Sequence, residues 1–167
     1  MKPKETHKEI ARKLLECIGG KPKVVIYDDA SSGNRVAIGE YGKKNCRVYS
    51  TIGLFEKKFS IPSGSFEFAL AGPQEWLPLT VVTTLMWLKG RAIKEWPLVC
   101  EDVIRPNAKS TYRHIAYIPS DFTFTVSSGK KVRWLAGVPV TDNDISISAE
   151  ELKKRCRKVF PDFFFAD

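Results

Sequence analysis

The chain has 167 residues, of which 43% are hydrophobic and 28% charged, and its formal net charge is +8. A chain of this length buries about 70% of its unfolded surface, so its core needs no metal or disulfide. No window approaches the ~20 apolar residues of a membrane-spanning helix, and the charged N-terminus lacks the apolar stretch of a secretion signal. We therefore expect a cytoplasmic protein with one domain over residues 1–167.

The positive charge is spread along the chain, with no run of five or six like charges, which is typical of solvated surfaces. Nucleic-acid binding is therefore disfavoured. The four cysteines form no C-x-x-C pair, and only two histidines could help them hold zinc. We expect four free thiols, no bound metal and no cofactor.

A helix is predicted over residues 4–18, where apolar residues recur at helical spacing before Gly19 and Gly20. His7 falls at the edge of its apolar face, where a packed histidine is favoured over a base or ligand. Strands are predicted over residues 23–29 and 35–41, joined by a hairpin loop through Gly33 and Asn34. A third strand is predicted over residues 46–52, and a fourth over 65–71.

A second helix is predicted over residues 77–95, with Pro78 at a tolerated first-turn position and a core stripe that ends at Ala92. Three strands follow, over residues 98–104, 111–118 and 131–140. The last helix follows Ser148, whose N-cap position and the glutamate three residues later indicate a capping box.

The order of these elements, with clustered strands between widely spaced helices, predicts an α+β fold with a mixed, largely antiparallel sheet flanked by helices. The segment "PDFFFAD" at residues 161–167 contains three consecutive phenylalanines. Because an exposed apolar cluster is costly in water, we expect this tail to dock on the domain.

No catalytic or phosphate-binding motif is present. The nucleophile elbow, the phosphate-binding loop and the H-E-x-x-H zinc motif are all missing. His114, on a predicted strand, is the more interesting of the two histidines as a candidate base, and a hydrogen-bonded structural histidine is the favoured interpretation. Asp142 and Asp144 lie in a predicted turn, where such acids serve turns or helix N-termini.

Several short motifs occur in a recognisable order. The motif "VYSTIGL" (48–54) contains Tyr49 and Gly53, and "SFEFALAGPQEW" (65–76) contains Glu67 and Trp76. The motifs "YRHIAYIPSDF" and "VRWLAGVPVTDNDISISAEEL" follow later in the chain. Together they resemble the suppressor of fused (SUFU) domain family, over roughly residues 46–155. Tyr49, Gly53, Glu67 and Trp76 match its structural signature.

This resemblance implies an α+β fold and a protein-binding role without catalysis, no cofactor and no metal. The chain is similar to the single-domain bacterial branch, which includes immunity proteins that bind and neutralise a cognate toxin. By the same resemblance, an acidic residue after the "HIAYI" strand contacts the partner, and Asp121 lies near that position. The predicted partner-binding residues are Tyr112, His114, Tyr117, Asp121 and Phe122.

We therefore expect a bacterial protein-binding domain whose partner is a protein, such as a polymorphic toxin. If it holds a peptide, strand addition to the sheet is the expected mode. Because the chain is basic, an acidic or neutral partner suits it better than a basic one. Two alternatives stay open: a small hydrolase-like enzyme using His114, and a weak nucleic-acid binder that uses the diffuse basic charge. Glu67 and Tyr49 are expected to meet on the face opposite the phenylalanines of residues 66–68.

Overall fold

The computed structural model describes residues 4–28, 35–43, 46–57, 64–93, 95–104 and 110–167. Three α-helices occur there: α1 (Glu5–Ile18), α2 (Leu77–Leu88) and α3 (Ala149–Val159). The strands are β1 (Lys23–Asp28), β2 (Arg35–Lys43), β3 (Cys46–Ile52), β4 (Phe66–Ala71), β5 (Leu98–Cys100), β6 (His114–Thr125) and β7 (Lys131–Val140).

All seven strands form one sheet in the order β1-β2-β3-β4-β7-β6-β5. The β4–β7 pair is parallel and every other pair is antiparallel. The predicted α+β class with a mixed, largely antiparallel sheet is confirmed. Because β4 pairs with β7, the parallel contact joins the two halves of the chain at the centre of the sheet.

Each face of the sheet carries its own hydrophobic core. On one face, α1, α3 and the C-terminal tail cover apolar residues that include Val48, Ala116 and Trp134. On the other face, α2 covers a second cluster that includes Phe68 and Tyr117. The sheet is thus the middle layer of three, which explains why β4 is buried along its whole length.

The predicted α1, β3 and β7 agree closely with the structure, and so does the N-cap of α3, where the Ser148 hydroxyl accepts a hydrogen bond from the Glu151 N–H (3.2 Å). The predicted hairpin loop through residues 33 and 34 lies outside the described residues. The expected docking of the tail is confirmed, since Phe164 is fully buried and contacts Phe122 and Phe160.

The second helix is shorter than predicted: α2 ends at Leu88, and Gly90 then adopts a φ of 75°. Ala92 therefore lies beyond the helix and is exposed, contrary to the predicted core stripe. The sequence pattern also missed Thr80 and Thr84, which are buried on this helix. Their hydroxyls donate to the carbonyl groups one turn earlier, at 3.1 and 3.0 Å, so their polar atoms are satisfied.

The boundaries of β5 and β6 were also wrong. β5 has only three residues, because a turn at Glu101 and Asp102 follows it directly. β6 continues seven residues past its predicted end at Ile118. A register shift between Pro119 and Thr123 interrupts the ladder, and pairing with β7 resumes at Thr123.

Candidate functional site

The predicted partner-binding residues lie along β6 and just before it, but they do not form one surface. Tyr117 is fully buried, His114 is 3% exposed and Phe122 is 7% exposed. Only Tyr112 and Asp121 are exposed. Partner binding by this group remains a prediction, and two of its five members are open to a partner in this conformation.

The tail of the chain occupies the far end of β6. Asp121 accepts a hydrogen bond from the N–H of Ala166 at 2.9 Å. Phe122 stacks on Trp134, with ring centroids 4.4 Å apart, and also contacts Phe163. The C-terminal tail thus contacts Asp121, the acidic residue that the family resemblance assigned to partner binding.

His114 is held at both ring nitrogens. Its Nδ1 accepts a hydrogen bond from the backbone N–H of Asp102 (2.9 Å), and its Nε2 lies 2.6 Å from Oδ1 of Asp142. Because Nδ1 must offer a lone pair to that N–H, the ring proton sits on Nε2 and is donated to Asp142. The favoured interpretation of His114 as a hydrogen-bonded structural histidine agrees with this geometry.

The same geometry bears on the hydrolase alternative. Asp142 lies next to Nε2 of His114, as that alternative requires. The lone pair on Nδ1, however, already accepts the hydrogen bond from Asp102. A general base needs a free lone pair within reach of the proton that it removes. Arg113 completes the group by contacting Asp102 (2.9 Å) and Asp142 (3.6 Å) at the surface. The arrangement joins the turn after β5 to the turn after β7, which is a structural task.

Glu67 is the most unusual charged residue of the sheet, because its side chain is fully buried on β4. Its Oε1 accepts hydrogen bonds from the N–H groups of Gly53 (2.8 Å) and Phe55 (3.3 Å), and its Oε2 accepts one from the Thr51 hydroxyl. Burial raises the pKa of this carboxyl to about 7, although the same hydrogen bonds oppose the rise. Glu67 therefore fastens the turn after β3 to β4.

Gly53 makes this turn possible. Its φ of 94° is in the left-handed region, which favours glycine. A Cβ atom there would lie 2.5 Å from the His7 ring, so α1 packs directly on the turn. His7 is half-buried, 3.2 Å from Glu56, as expected for a histidine packed at the edge of the core.

The expected contact between Glu67 and Tyr49 is wrong. Tyr49 belongs to the cluster under α2, together with Phe66 and Phe68, whereas Glu67 points to the opposite face. The hydroxyl that meets Glu67 comes from Thr51 instead. Trp76, the remaining signature residue, is half-buried directly before α2, and its carbonyl accepts from Thr80. Of the four signature residues, Gly53 and Glu67 thus join the turn after β3 to β4.

Sequence reasoning missed a surface at the opposite end of the sheet. β1 is an edge strand, since it pairs only with β2 in the described sheet. Three consecutive apolar residues on it are exposed: Val24 (50%), Val25 (37%) and Ile26 (60%). The uninterrupted "VVI" in place of alternation was the available signal, because it predicts a strand with apolar side chains on both faces.

A pocket of about 290 Å³ lies beside this edge, on the face that α2 covers. Val25 and Ile38 contribute apolar surface to it, and Lys23, Glu40, Arg47 and Glu75 contribute charge. Glu40 and Arg47 pair at 3.3 Å. Exposed backbone and apolar side chains at a sheet edge, next to a pocket, are the arrangement to which an extended segment can add as a further strand.

Groups suited to a metal do not occur in the described part of the chain, where no three His, Cys, Asp or Glu side chains come together. Cys17, Cys46, Cys100 and Cys156 are all free thiols, as expected. Among the helices described here, none is long and apolar enough to span a membrane.

Comparison with known proteins shows a likeness to a bacterial protein. The chain is 22% identical over 160 residues to a protein of Bacillus subtilis (strain 168) named immunity protein YqcF, and this covers 86% of the chain and 83% of that protein. No protein-family model matches the chain. No solved structure matches it either.

Proposed function

We propose that this chain is a bacterial immunity protein that binds a cognate protein toxin and neutralises it without catalysis. The observation that carries the proposal is the likeness to immunity protein YqcF, which extends over most of both chains. We also propose that the chain belongs to the single-domain bacterial branch of the SUFU domain family. The ordered motifs around Tyr49, Gly53, Glu67 and Trp76 support that assignment.

Two structural features support binding rather than catalysis. His114, the base that the hydrolase alternative requires, uses both ring nitrogens to join two turns. An exposed apolar edge strand, which is costly to leave uncovered, is available for a partner instead. The net charge of +8 favours an acidic or neutral toxin, because complementary charge accelerates association and rejects wrong partners.

The proposal is tested with the products of the genes that neighbour the one encoding this chain. Each product is expressed in a heterologous bacterium with and without this chain, and colony survival is counted. The purified pair is then mixed at physiological salt and analysed by isothermal titration calorimetry. We expect one neighbouring product to be toxic alone, harmless with this chain, and bound at a ratio of one to one.

Two outcomes contradict the proposal in different ways. If none of the neighbouring gene products is toxic, there is no cognate toxin among them for this chain to neutralise. Rescue of growth without a detectable complex indicates that this chain acts chemically on the toxin or its target, which favours an enzymatic role. The control variant is Glu150→Gln, which changes an exposed residue. It must rescue growth to the same extent as the unmodified chain does.

A further inference from the structure

We infer that β1 is the docking edge of this protein and that it takes an extended, apolar segment of a partner protein carrying acidic residues at the end that lies beside Lys21 and Lys23. The inference rests on the proposed function in that the segment would belong to the toxin. It places the interface at the opposite end of the sheet from β5, and away from the residues on β6 that sequence resemblance selected.

The shape of β1 fits strand addition. It is six residues long, about the usual length of a strand, and its outer edge pairs with no other described strand. Val24 and Ile26 point to the face of α1 and α3, while Val25 and Tyr27 point to the face of α2. An added strand therefore finds apolar contacts on both faces, and the pocket beside Val25 can hold one of its side chains.

The charges around β1 determine which segment fits. At the far end of the strand, Asp28 and Arg35 satisfy each other at 2.8 Å. At the near end, Lys21 and Lys23 are exposed, and within the described residues neither makes an ion pair. Glu40, which lies opposite Lys23 on β2, pairs with Arg47. Glu75 also lines the pocket here, so Lys21, Lys23 and Arg47 exceed Glu40 and Glu75 by one positive charge, which favours a carboxylate on the partner.

A second copy of this chain fits the edge less well. Residues directly opposite each other in an antiparallel pair point to the same face of the sheet. Lys23 and Asp28 point to opposite faces of β1, so a two-fold β1–β1 pair never places one against the other. Such a dimer would leave both lysines uncompensated, whereas an acidic segment satisfies them.

The test uses two blocked peptides of about ten residues that alternate valine and threonine, which is long enough to pair along all of β1. One peptide carries glutamates at both ends, and the other carries lysines there. Binding to the full chain is measured by fluorescence anisotropy, and the protected amides are located by hydrogen exchange. We expect the glutamate peptide to bind at least about tenfold more tightly and to protect residues 23–28.

Three variants sharpen the test. The double substitution Lys21→Glu with Lys23→Glu reverses the preference between the two peptides. Ile26→Ser weakens binding of the glutamate peptide by about tenfold, because a largely apolar contact is lost. The matched control is Met86→Ser, since Met86 is 62% exposed on α2, and this variant binds as the unmodified chain does.

Four results overturn the inference: equal binding of the two peptides, protection away from β1, no binding at about 1 mM peptide, or a dimer of the free chain that Ile26→Ser dissociates. The peptide assay needs no toxin, so it can succeed when the proposed function fails. Conversely, if the Ile26→Ser variant and the double lysine variant both still neutralise the toxin, that result supports the proposed function. It also shows that the toxin binds at a surface other than β1.

Discussion

Glu67 makes the stability of this protein depend on pH in a way that one isosteric substitution should remove. The carboxyl is fully buried, and its pKa rises from 4.5 to about 7. Glutamine has nearly the same shape, and its amide oxygen can accept the same N–H groups of Gly53 and Phe55. The substitution Glu67→Gln therefore removes the titration while leaving the cavity filled.

The sign of the effect follows from proton binding. Below pH 4.5 the carboxyl is protonated in both the folded and the unfolded chain. Between pH 4.5 and about 7 the unfolded chain releases this proton and the folded chain keeps it, so the free energy of unfolding falls as pH rises. At about 1.4 kcal/mol for each tenfold change in proton affinity, the whole loss is roughly 3 kcal/mol, and it is complete above about pH 8.

The assay is urea unfolding followed by tryptophan fluorescence at several pH values from 5 to 8. The other ionisable groups are common to both proteins and cancel in the difference. We expect the free energy of unfolding of the Glu67→Gln variant, relative to the unmodified chain, to increase by up to roughly 3 kcal/mol across this range. At pH 5, where the carboxyl is protonated, the two proteins should differ in stability by less than about 1 kcal/mol, because the Oε2–H of Glu67 and the NH₂ group of glutamine can each donate to the Thr51 hydroxyl.

Glu150→Gln provides the control for the loss of one carboxylate, because Glu150 is exposed on α3. If the curves of the Glu67→Gln variant and the unmodified chain stay parallel from pH 5 to 8, the carboxyl is charged throughout. The three hydrogen-bond donors would then outweigh desolvation of the carboxyl, contrary to the expected pKa of about 7.

Three further substitutions test the packing. Gly53→Ala should cost clearly more than Gly90→Ala in thermal unfolding, because both positions have a positive φ but only at Gly53 does a Cβ meet a neighbouring ring; equal costs would show that backbone strain alone matters. His114→Ala should lower the free energy of unfolding by about 2 kcal/mol, since the Asp102 N–H loses its acceptor; a hydrolase would instead lose activity at unchanged stability. Phe164→Ala should cost about 3–5 kcal/mol in urea unfolding, because the ring is fully buried; a cost near zero would mean that the tail does not dock in solution.

The site illustrates the limits of a prediction from sequence. Tyr117 and Phe122 were predicted to bind a partner, but aromatic side chains are common in cores as well as at interfaces. Which role each one takes depends on α2 and on the C-terminal tail, both distant in sequence. The exposed β1 edge was missed for the complementary reason: the apolar run at residues 24–26 is equally typical of a buried strand.

The elements that the sequence alone predicts well are those that depend on interactions between residues close together in the chain. Alternation defined β3 and β7, helical spacing before two glycines defined α1, and Ser148 capped α3, because each signal acts within a few residues. The tertiary structure decided the rest: the parallel β4–β7 pairing, the early end of α2, the hydroxyl that meets Glu67, and the tail against Asp121. These depend on contacts between residues far apart in the chain, where burial and hydrogen bonding override local preference.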